Sequence, residues 1–93
     1  MATQSSKRQS RNIIGLNVKE ARLQTSPPLT QDQLSGKLAA IGVPLDRVAI
    51  AKIETGIRCV FDFEVKALAR VLGVETDWLL GGEGRKALGR SKA

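Results

Sequence analysis

Ninety-three residues allow one compact domain with short tails, and with 42% hydrophobic but only 3% aromatic residues the core must be built from Ile, Leu, Val and Ala. There is no His and a single Cys, Cys59, which excludes a Ser/His/Asp triad, a Cys/His dyad, a His-containing zinc site and a four-thiolate zinc site. Fifteen Lys and Arg against nine Asp and Glu give a net charge of +6, which points to an anionic partner such as nucleic acid.

In chain order, residues 1–11 read as a disordered basic arm carrying Lys7, Arg8 and Arg11. This polar opening lacks the apolar middle of a secretory signal, and no apolar run approaches the roughly 20 residues of a membrane span, so the chain reads as soluble and cytoplasmic. Residues 12–80 form the domain and carry equal numbers of acidic and basic side chains. Ile14, Val18, Ala21 and Thr25 recur at a helical period that stops at Ser26-Pro27-Pro28, which predicts the first helix. In LTQDQLSGKLAAI, Thr30 and Gln33 form a T-x-x-Q capping box, and Leu34, Leu38 and Ile41 share one face of a second helix. Gly42-Val43-Pro44 breaks that helix.

Asp46 is placed to cap a third helix that ends at Gly56, with Leu45 before the cap positioned to pack on Ile50. Asp62 is expected to cap a fourth helix with buried Val65, Leu68, Ala69 and Leu72, closed by Gly73 with Val74 folding back. A short fifth helix covers Asp77 to Leu80, where Trp78, Leu79 and Leu80 suit the core or a subunit contact. Residues 81–93 read as a second disordered basic tail. No alternating strand pattern or internal repeat is present, so the expected fold class is all-α.

Placed at 100° steps, Ala49, Ile50, Ile53 and Ile57 fall on the inner side of the third helix. Arg47, Val48, Ala51, Lys52 and Thr55 fall on the outer side. An outer face that is cationic and otherwise small suits the major groove of B-DNA, where Arg or Lys can bond guanine and an apolar group can meet a thymine methyl. The same periodicity also fits ordinary packing of Val48 and Ala51 with solvated charges beside them. A capped helix, a Gly break and a second short helix form the supersecondary unit used to read DNA.

The strings IGLNVKEAR, LTQDQL, IAKIETG and LARVLGVETDWLL closely resemble the XRE family of bacterial and phage regulators, the lambda-repressor-like helix-turn-helix domains. The resemblance covers Asn12 to about Leu80. It implies a compact five-helix domain, from which the chain departs in being about five residues longer than the usual motif between Leu34 and Ile50, so that the turn between helices two and three is extended and the second helix is expected to gain a turn. It implies double-stranded DNA as partner, a homodimer, and a repressor of transcription in the nucleoid, with no cofactor, no metal and no enzymatic activity. By the same resemblance Arg47, Val48 and Ala51 face base edges, while Gln31, Lys52, Thr55 and Arg58 lie near the DNA backbone. Arg22 and Glu54 match the family's internal ion pair, and Lys7, Arg8 and Arg11 suit phosphate contact from the arm. The alternative is a protein-interaction module or antitoxin-like adaptor whose basic tails contact nucleic acid without sequence preference. Cys59 is assigned no function.

Overall fold

The computed structural model describes residues 10–82. Lys7, Arg8 and nearly all of the expected C-terminal tail therefore lie outside the described residues. Five helices follow one another: α1 (Gly15–Leu23), α2 (Gln31–Ala40), α3 (Arg47–Glu54), α4 (Asp62–Leu72) and α5 (Thr76–Leu79). Among the described residues there is no strand, and no helix is long and apolar enough to cross a membrane. The fold is all-α.

The start of α1 is fixed by a side chain three residues upstream. Asn12 Oδ1 accepts the N–H groups of Ile14 and Gly15 at 3.0 and 2.8 Å, satisfying donors that have no partner inside the helix. The helix ends at Leu23 rather than reaching Thr25. The Thr25 hydroxyl instead donates to the carbonyls of Arg22 and Pro27, both at 2.9 Å, and so closes a turn ahead of the prolines.

At α2 the capping box forms as its spelling suggests. Thr30 Oγ1 accepts the Gln33 N–H at 3.0 Å and Gln33 Oε1 accepts the Thr30 N–H at 2.9 Å. The helix stops at Ala40, short of the added turn, and Ile41 to Asp46 cross to α3 with Ile41 and Val43 still packed on the core.

Asp46 caps α3 through Oδ1, which accepts the Ala49 N–H at 2.8 Å. The far end closes at Gly56, whose positive φ of 84° is a left-handed conformation open to glycine. That turn redirects the chain, so Ile57 leaves the inner face on which the helical period put it and is 62% exposed. At α4, Asp62 is the first helical residue and not the cap. Phe61 occupies the cap position without a side-chain cap bond, and the Glu64 carboxylate reaches back to accept the Phe61 N–H at 3.0 Å, the reciprocal half of a capping box.

Every helix contributes to one core. Ile14, Val18 and Ala21 come from the α1 region, Leu34 and Leu38 from α2, and Ile50 and Ile53 from α3. Val65, Ala67, Leu68, Ala69 and Leu72 come from α4, while Leu45, Val74 and Leu79 fill from the connections and α5. Asn17 joins α1 to α5, its amide donating to the carbonyls of Trp78 and Leu79 at 3.2 Å each. Trp78 itself is half-buried at the edge of the core, and Leu80 is exposed.

Candidate nucleic-acid interface

The site begins with what holds α3 in place. Arg22 on α1 meets Glu54 at the end of α3 in a two-point ion pair, Nε to Oε2 at 2.7 Å and Nη2 to Oε1 at 2.9 Å. Its remaining Nη1 donates to the Leu29 carbonyl at 2.9 Å. Both side chains are nearly inaccessible to solvent, so this pair must be fully hydrogen-bonded to be tolerated, and it is. The hydrogen bond to Glu54 raises the Arg22 pKa above its ordinary value, against the opposing effect of burial.

Gln31 completes this cluster. Its Nε2 donates to Glu54 Oε1 at 3.0 Å, tying the first residue of α2 to the last of α3. The α2 N-terminus is therefore set beside the C-terminal half of α3. Gln31, Ala51, Glu54 and Thr55 share a shallow depression with Leu16, Lys19 and Arg22 of α1.

A second set of bonds also fixes the C-terminal end of α3. Asn12 Nδ2 donates to the carbonyls of Ile53 and Arg58 at 3.0 and 2.9 Å. One side chain thus caps the start of α1 and clamps the end of α3. The contact is tight because residue 15 is Gly: a methyl group there would collide with the Ile53 carbonyl and press on that of Glu54. The backbone N–H of Arg11 donates to the Gly56 carbonyl at 2.6 Å, which places the described end of the basic arm beside the α3 terminus.

Within α3 itself the one carboxylate, Glu54, is only 6% exposed, and the exposed acid nearest to its outer face is the capping Asp46 at the helix start. Arg47, Lys52 and Thr55 are exposed, Val48 is 52% exposed and Ala51 is half-buried. The Thr55 hydroxyl donates back to the carbonyls of Ala51 and Lys52 at 3.0 and 3.3 Å.

Arg58 stands apart from this group. Its guanidinium makes a two-point pair with Glu64, Nη1 to Oε1 at 2.9 Å and Nη2 to Oε2 at 3.1 Å, and Nη1 also donates to the Cys59 carbonyl at 2.7 Å. It lines a separate depression with Asp46 and Ala49 at the other end of α3, so its charge is largely offset within the protein. The hydrogen bond to Glu64 raises the Arg58 pKa. Burial pushes the Glu64 carboxyl up, but the bonds from Arg58 and from the Phe61 N–H outweigh it and leave the pKa below its ordinary value.

Asn12 and Glu64 are the functional positions that sequence reasoning missed. A signal existed for each: Asn12 is an Asn just ahead of a helix, and Glu64 is a Glu in the first turn of one. The long-range partners of Asn12 carried no such mark, nor did the choice of Arg58 as the cation that Glu64 meets. Among the described residues no three metal-ligating side chains come together. Comparison of the chain with models of known families, with curated proteins and with solved structures found no match.

Proposed function

We propose that this chain is a sequence-specific DNA-binding regulator of transcription with a lambda-repressor-like helix-turn-helix domain, similar to the XRE family. The observation that carries this reading is the pairing of a rigid mount with an outer face of cations and small side chains. Arg22, Glu54, Gln31 and Asn12 fix α3 from within, and Arg47, Val48, Ala51, Lys52 and Thr55 project from it. A helix held that way can lie in the major groove with its cations free and its own carboxylate, Glu54, withdrawn into the buried ion pair.

In this reading Arg47, Val48 and Ala51 meet base edges, while Lys52 and Thr55 lie along the backbone. The Gln31 side chain is engaged by Glu54, so the phosphate contact at the α2 start falls to the amide hydrogen left on Gln31 and to the unpaired N–H groups of that first turn. Arg58, already paired with Glu64, acts on phosphate only through its residual field. Lys7, Arg8 and Arg11 add electrostatic attraction from the arm. The protein works as a homodimeric repressor on a pseudo-palindromic operator whose half-sites lie about 34 Å apart, by steric exclusion of polymerase.

The test is to incubate the purified chain with fragmented genomic DNA at roughly physiological salt and sequence what stays bound. An enriched inverted repeat is the expected result, and Arg47→Ala should change the preferred sequence. Retention without a motif would favour the second reading, a protein-interaction module. One feature supports that alternative: Phe61 and Phe63 stack with ring centroids 5.8 Å apart and are both more than half exposed, an uncommon use of the chain's few aromatic residues.

A further inference from the structure

We propose that the outer face of α3 selects a pyrimidine carrying a C5-methyl group, with Val48 as the side chain that meets that methyl. The inference rests on the reading of α3 as the element that enters the major groove, and it names what α3 selects there. Between the cations Arg47 and Lys52, the positions that reach outward offer carbon and no hydrogen-bonding group. Val48 is 52% exposed and Ala51 is half-buried on the same side. Thr55 would normally bring a hydroxyl to such a face. Here its Oγ1 is turned back onto the carbonyls of Ala51 and Lys52 at 3.0 and 3.3 Å, which leaves its methyl as the group for an outside contact.

Groove chemistry supplies the selection. The major-groove edges of guanine, adenine and cytosine present acceptors and amino donors, and the C5-methyl is the one apolar group among them. Pressing Val48 against an acceptor or an amino group removes water from it and returns no hydrogen bond, whereas pressing it against a methyl buries apolar surface on both partners. The face therefore gains from the methyl and is penalised by the alternatives. Thymine carries this methyl in ordinary DNA, and 5-methylcytosine carries it at the same ring position in modified DNA. Flanking the contact, Arg47 and Lys52 have the reach to hold phosphate or guanine on either side.

The experiment uses the full chain and the duplex that it enriches from a random pool at roughly physiological salt. Each thymine of the bound half-site is replaced in turn by deoxyuridine, which removes the methyl and leaves base pairing intact. At the position under Val48 the replacement should weaken binding about three- to tenfold. With Val48→Ala the same replacement should have little effect. Val48→Thr, which keeps the shape but exchanges one methyl for a hydroxyl, should fall between the two; because residue 48 is exposed, neither variant puts folding at stake. A cytosine and a 5-methylcytosine placed at that position identify the source of the methyl. Tighter binding of 5-methylcytosine than of cytosine is expected, and comparison with thymine shows which pyrimidine the protein prefers. If every deoxyuridine replacement is neutral while base-pair changes still abolish binding, sequence reading by α3 stands and the methyl proposal falls. If the random pool yields no enriched sequence, the reading of α3 and this proposal fall together.

Discussion

Glu54 shows how much a single buried carboxylate can organise. It accepts two hydrogen bonds from Arg22 and one from Gln31, so three helices converge on one side chain. Replacing one member of a buried ion pair leaves the other charge uncompensated, which typically costs about 3–5 kcal/mol. Glu54→Gln is expected to lower the urea-unfolding free energy by that order. The double change Arg22→Met with Glu54→Leu should recover most of the loss, because it removes both charges at once. DNA affinity should not recover with it, since Gln31 has then lost its anchor. A double variant that binds DNA normally would show that the bracing of Gln31 is irrelevant to binding.

Glu64 permits a sharper expectation at the same scale. Its folded pKa lies below the unfolded value, which for Glu is about 4.3. A carboxylate shifted that way contributes stability that is fully present above its unfolded pKa and is lost as pH falls through the folded one. Stability measured by urea unfolding should therefore begin to decline below about pH 4.3 as the Arg58 pair is titrated. In Glu64→Gln that part of the decline should be missing and stability near neutrality should be lower. Identical pH profiles for the two proteins would mean that the pair contributes nothing to folding.

Among the elements, α3 is the one whose position is most heavily determined. It is capped by Asp46, clamped by Asn12, paired to α1 through Arg22 and tied to α2 through Gln31. The closest approach is that of Gly15 to the α3 carbonyls, where no side chain fits. Gly15→Ala must push α1 and α3 apart, because the obstructing atoms are backbone and cannot rotate away. The expected loss is about 1–3 kcal/mol, despite the better helix propensity of Ala. It should be visible as a lower thermal midpoint and as faster amide exchange through α3. An unchanged midpoint would mean that the two helices can separate freely. By contrast Gly36, on the exposed side of α2, has open space around it, and Gly36→Ala should be neutral or mildly stabilising.

For the molecule as a whole, the excess charge lies at the two ends of the chain while residues 12–80 are balanced. A balanced domain with one cation-bearing helix face and a cationic arm should separate two kinds of contact. Specific readout belongs to α3, whereas attraction that ignores sequence comes mainly from the ends. Log affinity falls with log salt at a slope of about 0.9 per phosphate neutralised. The double change Lys7→Ala with Arg8→Ala should therefore lower that slope by about two and weaken all sequences to a similar extent. Arg47→Ala should alter which sequences bind. An arm variant that changes sequence preference would reassign base readout to the arm.

The local part of this protein is legible in its sequence. Thr30 with Gln33, Asp46 ahead of α3, Gly56 and Gly73 behind their helices, and the apolar periods of α1 to α4 all act within a few residues. Such signals can be read because the interacting groups are fixed by the helical repeat itself. Where the signal was local but ambiguous, the reading slipped: Asp62 opens α4 instead of capping it, and the Gly56 turn carries Ile57 out of the helical face. The composition likewise determined an aliphatic core and excluded histidine and multi-thiolate chemistry. Only the tertiary structure decided that Gln31 donates to Glu54, that Asn12 bridges α1 and α3, and that Arg58 pairs with Glu64 beside Asp46 instead of joining the outer face of α3. The physical reason is that these bonds depend on how the helices and the turns between them pack, and not on the repeat within one helix. Side-chain identity states what a group can donate or accept, and packing geometry selects which partner it meets.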